Sequence, residues 1–294
     1  MNRQNQSAII AIFSANVIFG MNIPVTKALI ANWMTPLGYT TVRMFFGTFV
    51  FWIIGFFLKR DKVQKNDLLI LVIGGLLGYL GTQFLFSESL RFTTPVNFSL
   101  LMALTPLAVL VISFFFLKER ITPKKILGLC LSIAGAATVI LSSHPHNDPG
   151  SNNALGIFFA LMCILSYATY MVLTRKIAAR YQPATIAKWM FLFSAVLLVP
   201  FLSSGISNQA IYSTEGAIKP LLLLSFSLLF STLLAFFLMP FALKKLEAGT
   251  VSVFMNIQPI TASAMAIWVG QDAFSWNTVI AMVLIIGGVS VVSK

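Results

Sequence analysis

Few side chains in this sequence can carry a proton or hold a charge away from water, and two of them fall at long apolar runs. Arg43 lies within the run 36–58, and Glu88 closes the run 68–87. A guanidinium in such a place can bind an anion or gate a path, and a carboxylate can couple a proton. Removing a charge from water costs several kcal/mol, so each needs a reason. For Arg43 the bland reasons are snorkelling to the near surface or an ion pair with Glu88. Lys27, near a helix end, is expected to snorkel.

Neutral polar and aromatic side chains accompany these charges. They are Asn16 and Asn22; Tyr79 and Gln83; Asn97 and Thr105; Tyr167 and Tyr170; Ser227, Ser231 and Thr232; and Asn256 and Gln258 beside Pro259. Asn97, Leu101 and Thr105 share a face by i, i+4 spacing, and Tyr79, Gln83 and Phe86 form a second stripe. Such a set suits a small zwitterion, a neutral metabolite or an amphiphile. It can equally tie packed helices together by interhelical hydrogen bonds. Both readings stay open residue by residue.

Catalytic chemistry is not indicated. An enzyme needs a nucleophile–base pair or a metal cluster. Both histidines, His144 and His146, fall in one loop, and no acidic pair occurs within an apolar run. No metal, no cofactor and no enzymatic activity are expected. Cys130 and Cys163 sit in apolar runs, which argues against a disulfide framework.

The elements that position these residues must be membrane spans. Hydrophobic residues make up 58% of the 294-residue chain and charged residues 10%, with mean hydropathy +0.89. A soluble domain carries about 25% charged residues. A spanning helix needs about 20 mostly apolar residues, and backbone groups in lipid must be satisfied internally. Ten helical spans are expected: 7–30, 36–58, 68–87, 95–117, 124–142, 154–174, 184–203, 220–243, 250–269 and 275–293. The fold class is therefore all-α integral membrane.

Charge sorts the connections. One alternating set holds Lys59, Arg60, Lys62 and Lys65; Lys118, Arg120, Lys124 and Lys125; Arg175, Lys176 and Arg180; and Lys244 and Lys245. The other set is poor in basic residues. The positive-inside rule puts the basic set, and both termini, in the cytoplasm. The net charge of +12 is thus topological, and no nucleic-acid partner is expected.

The chain also repeats. Sliding it by 153 residues places Pro106 on Pro259, Ser99 on Ser252, Met102 on Met255, Leu90 on Leu243, Glu119 on Asp272 and Gly135 on Gly288. The register holds without a gap from about Phe86 to Ile140. Earlier spans align more loosely, with Pro36 near Pro183. The basic loop after the fourth span matches a base-free loop after the ninth. An odd number of spans per copy inverts the second copy. The expected units are 1–143, a linker 144–153 and 154–294, with a binding site near mid-membrane where the copies meet. Pro106 and Pro259 are the expected hinges, each freeing a backbone carbonyl.

The chain resembles the drug/metabolite transporter superfamily, specifically a bacterial EamA-type permease with two EamA repeats. Phe19-Gly20-Met21-Asn22, Lys27, Arg43, Thr105-Pro106, Lys118-Glu119-Arg120, Gly128 and Gly135 carry the resemblance. Gln258-Pro259, Asp272 and Gly287-Gly288 echo them in the second half. Phe19 stands where the family often has Trp, and Asp272 where Glu is usual. The resemblance implies a multi-pass protein of the bacterial cytoplasmic membrane that exports small metabolites, amino acids or related amphiphiles. The implied partners are a small-molecule substrate, the lipid bilayer and protons as a candidate coupling ion, with the protein a monomer or weak dimer. An exchanger of phosphorylated or nucleotide-linked metabolites is the alternative, and an integral-membrane enzyme a remoter one.

Overall fold

The structure, a computed structural model, describes residues 3–58, 61–117, 123–142, 152–213, 218–243 and 254–293. Every regular element among them is helical. In order they are α1 (Arg3–Asn32), α2 (Pro36–Phe57), α3 (Lys65–Gly74), a π-helical segment (Gly75–Gly81), α4 (Thr82–Phe92), α5 (Pro95–Met102), α6 (Thr105–Leu117) and α7 (Pro123–Ser142). The second half holds α8 (Asn153–Arg180), α9 (Pro183–Leu198), α10 (Ile218–Phe226), a second π-helical segment (Ser227–Ala235), α11 (Phe236–Leu243), α12 (Ile257–Trp268) and α13 (Trp276–Ser293). Short helical turns bridge α9 to α10.

Seven helices are long and apolar enough to cross a membrane. They correspond to the first four and the sixth to eighth expected spans. The fifth and tenth expected spans are shorter apolar helices, Ile126–Val139 and Trp276–Val291. The ninth begins outside the described residues, as do Lys59, Arg60, Lys118, Glu119, Arg120, Lys244, Lys245, Ser252 and the linker with His144 and His146.

The burial pattern is that of a protein solvated by lipid. Large apolar side chains face outward, with Phe57 79% and Leu141 84% exposed, while Asn16, Asn22, Thr26, Thr40, Thr41, Arg43 and Ser227 are buried. In water so much exposed apolar surface would drive association. In lipid it costs nothing, and polar groups turn inward to find partners.

Much of the helix packing recurs when the halves are exchanged. α2 packs on α9, α5 on α12 and α7 on α13, each helix on its counterpart. α1 packs on the second π segment, α11 and α12; α8 packs on the first π segment, α4, α5 and α6. The α7–α13 crossing shows why glycine stands there. A Cβ on Gly135 would meet the Ala281 carbonyl at 3.0 Å, and one on Gly288 would press on the Gly128 carbonyl. Ser132 donates to the Ile285 carbonyl at 3.4 Å, joining positions 153 residues apart.

The base-poor connections meet at one end. Ile211 N–H donates to the Trp33 carbonyl. Thr93 bonds Asn153 at 2.5 Å, Gln271 donates to the Pro24 carbonyl at 2.9 Å, and Lys27 donates to the carbonyls of Leu90 and Thr93. Lys27 therefore ties α1 to the C-terminus of α4, where a cation is favoured. This is more than the snorkelling expected of it. The 61–67 and 180–185 segments meet at the opposite end. Asp61 accepts from Gln182 N–H and Thr185, and Asp67 accepts from the Tyr181 hydroxyl at 2.7 Å and from Arg180 at 3.3 Å. Thus α1 ends, and α8 begins, at the base-poor end.

The Asp67 contacts make a testable pair. Its side chain is 7% exposed, against 57% for Arg180. Asp67→Ala is expected to cost about 1–3 kcal/mol by stranding the groups it satisfies. Arg180→Ala is expected to cost under about 1 kcal/mol, as exposed ion pairs do. Thermal unfolding in detergent checks both.

Candidate functional site

The site is built from α2 outward. Thr35 caps α2 by accepting from Gly38 N–H at 3.0 Å, and Pro36 fits the first helical position. With the start fixed, Tyr39 and Arg43 fall on one face, and the Arg43 guanidinium lies 5.3 Å from the Tyr39 ring centre. Arg43 is 1% exposed. It donates from Nε to Thr232 at 2.8 Å, from Nη1 to Gln83 at 2.5 Å and to Tyr39 at 3.4 Å, and from Nη2 to Ser231 at 3.1 Å. Neither bland expectation for Arg43 describes it. It reaches inward rather than to the surface, and Glu88 instead lies 3.8 Å from Arg91, one helical turn along α4.

Tyr39 extends the network to α1. Its hydroxyl lies 2.8 Å from Thr26 Oγ1, accepts from Asn22 at 3.2 Å and donates to Ser227 at 3.0 Å. Ser227 donates in turn to Asn22 Oδ1 at 2.6 Å. The structure thus joins Asn22, Arg43 and Gln83 of the first half to Ser231 of the second. Tyr39 is the hub that sequence reasoning missed, although its i, i+4 spacing from Arg43 was a signal for it.

Both π segments border this network, at matching places in the two halves. Widening a helix by one residue per turn leaves carbonyls that need outside donors, and such segments concentrate at functional sites. Here hydroxyls supply the donors. Leu77 O accepts from Thr82 and Ser166, each at 2.8 Å; Gly75 O accepts from Ser194 at 2.9 Å; Ser227 O accepts from Thr232 at 3.0 Å. Tyr79, within the first π segment, contacts Tyr170 and Phe191 edge-on, with Phe236 beside them. Tyr167 lies against Tyr170. The three expected tyrosines therefore form one aromatic wall, a turn away from Gln83.

A second pair of matched interruptions lies in α5–α6 and before α12. Ala103 has φ −64°, ψ −12°, and Asn256, at the matching repeat position, has φ −66°, ψ −9°. Pro106 and Pro259 are not mid-helix kinks. Each sits in the first turn of the helix restarting after the break, where a missing N–H costs nothing. Thr105 donates to the Met102 carbonyl at 2.6 Å and so satisfies its own break. Asn256 behaves differently. It stands where Asn ordinarily caps a helix, yet makes no capping bond. It is 5% exposed, and neither side-chain polar atom has a partner among the described residues.

The remaining expected residues stand outside the Arg43 network. Gln258 donates to Asn16 at 2.6 Å, pairing α12 with α1. Asn97 is half-buried on α5. An open groove of about 440 Å³ over Ser207–Ser213 lies at the base-poor end, and none of the sequence-chosen residues line it.

The EamA-like transporter family matches this chain twice, over residues 6–141 and 154–294. The chain belongs to that family. Relatives in Bacillus subtilis (strain 168) include the uncharacterized transporter YetK, 22% identical over 98% of this chain and 87% of its own length. The uncharacterized transporter YyaM is 27% identical over 78% of this chain and 74% of its own. An uncharacterized transporter of Archaeoglobus fulgidus is 27% identical over 82% and 80%. One solved crystal structure superposes with a TM-score of 0.68 at 21% identity, over 97% of this chain and 96% of its own. At that identity the likeness concerns the fold. This EamA-family chain is a multi-pass, all-helical membrane protein of transporter type. Its family match begins afresh at 154, the residue after α8 starts.

Proposed function

We propose that this chain is a secondary-active carrier that moves small metabolites, amino acids or related amphiphiles, outward across the bacterial cytoplasmic membrane. It has ten spans in two inverted five-helix repeats with both termini in the cytoplasm, and works by alternating access. The observation that carries this reading is the pairing of helix interruptions. Each half has a π segment in its third span and a break in its fourth, at matched repeat positions, beside buried polar side chains. Interrupted helices at a repeat interface are where carriers bind substrate. Interior sites that rest on such segments can be opened to either side by rocking one half against the other. Asn22, Gln83, Ser231 and Asn256 are assigned to substrate, Tyr79, Tyr167 and Tyr170 to its apolar parts, and Pro106 and Pro259 to the hinges. Glu88, half-buried at the base-poor end, is the candidate proton-coupling group.

The test is uptake into inside-out proteoliposomes of labelled amino acids and nucleosides, with and without a pH gradient. One compound class is expected to be taken up saturably and competed by its relatives, and Gln83→Ala is expected to lower its uptake at least about tenfold, the scale of one charge-assisted hydrogen bond. A gradient dependence lost in Glu88→Gln would assign the coupling. No saturable uptake by folded protein would overturn the reading.

A further inference from the structure

Arg43 is a buried cation whose hydrogen-bond partners are all neutral. A guanidinium has five N–H groups. Four are taken by Thr232, Gln83, Tyr39 and Ser231, and the fifth, on Nη2, has no acceptor among the described residues. No carboxylate among those residues pairs with it either, whereas Arg180 has Asp67 and Arg91 has Glu88. Hydroxyls and a carboxamide satisfy the directions of its donors and leave its charge unbalanced. A buried charge without a counter-ion is strongly destabilising, so a retained one calls for an anion that arrives.

We infer that Arg43 is the anchor for a carboxylate on the transported substrate. This deepens the carrier reading and rests on it. A charge-assisted bond from a guanidinium to a carboxylate is about twice as strong as one between neutral groups. The place for it is Nη2, which carries the free N–H and holds Ser231 at 3.1 Å, a longer contact than those to Gln83 and Thr232. A carboxylate arriving there displaces Ser231 Oγ, whose hydroxyl can turn to donate to the same anion. Ser231 and Thr232 both belong to the second π segment, so filling the site changes what holds that segment to α2. One cation balances one negative charge. The class is therefore monocarboxylates, whether free acids or the carboxylates of amino acids, and not phosphate dianions, which would leave a charge over.

Two measurements test this separately from the carrier reading. The first is thermal unfolding of the detergent-purified protein with amino acids and short monocarboxylates, each beside its matched neutral amide and beside inorganic phosphate. The second is competition by the same compounds against proteoliposome uptake. Carboxylates are expected to raise the unfolding temperature and to compete, and their amides and phosphate are not. Stabilisation by acetate-like acids as well as amino acids assigns the site to any monocarboxylate, and stabilisation by amino acids alone assigns it to those. Arg43→Gln is expected to weaken carboxylate competition at least about tenfold. The wild-type comparison stands even where that variant does not fold. Amides that match their acids, phosphate that outcompetes them, or no response to any carboxylate overturns the assignment. Uptake without carboxylate preference overturns it and leaves the carrier standing. Carboxylate binding without uptake keeps the site and overturns the carrier.

Discussion

Asn256→Ala is expected to make the protein more stable and far less active. A buried amide with neither atom paired costs about 1–3 kcal/mol, and among the described residues Asn256 is such a group at 5% exposure. Alanine removes that cost and is the better helix former at the break. If the carboxamide serves only to shape the break, activity will follow stability upward. If it waits for substrate, uptake will fall by at least about tenfold, the worth of one or two hydrogen bonds, while the unfolding temperature rises. The two readouts must move in opposite directions, and a shift of both in the same direction would show Asn256 to be structural.

Gly75→Ala is expected to destabilise the protein. Its Cβ would stand 2.8 Å from the Met190 carbonyl oxygen and 3.3 Å from Met190 Cα. Both are backbone atoms of α9, so the π segment and α9 must part. Overpacking of this kind costs about 1–3 kcal/mol, and the Ser194 bond to the Gly75 carbonyl would weaken with it. Gly287→Ala is the control. Outside its own helix, no atom of the described residues lies within 4 Å of a Cβ there, and alanine gains roughly 0.5–1 kcal/mol of helix preference over glycine. Thermal unfolding of the two variants should shift in opposite directions. Equal shifts would contradict the close approach of α9 to the first π segment.

These expectations show what the sequence could and could not reveal. The repeat offset was legible because proline, glycine and loop charge mark it, and helix breaks occur near both prolines. Even so, the breaks lie three residues before Pro106 and Pro259, because proline restarts a helix more readily than it bends one. Gly75, Gly78 and Gly81 set the first π segment apart from an ordinary apolar run. Ser227–Ala235 gave no such hint, since its apolar run reads as an ordinary helix. The Arg43 network was hidden for another reason. Its partners Ser231 and Thr232 lie 188 and 189 residues away, and nothing local says which polar side chain of another helix will face it. Glu88 was the plausible partner by charge, yet four neutral oxygens hold Arg43 instead. The shared aromatic wall of Tyr79, Tyr170 and Phe191 likewise depends on helix packing that hydropathy alone does not encode.

Alternating access is tested by counterflow in proteoliposomes. Vesicles holding the wild-type protein are loaded with an excess of unlabelled substrate, and entry of the labelled compound is followed at trace concentration outside. A carrier whose one interior site faces each side in turn must exchange, so internal substrate is expected to accelerate entry and to drive transient accumulation above the outside level. Entry that neither saturates nor responds to internal substrate would contradict alternating access and point to an open pore.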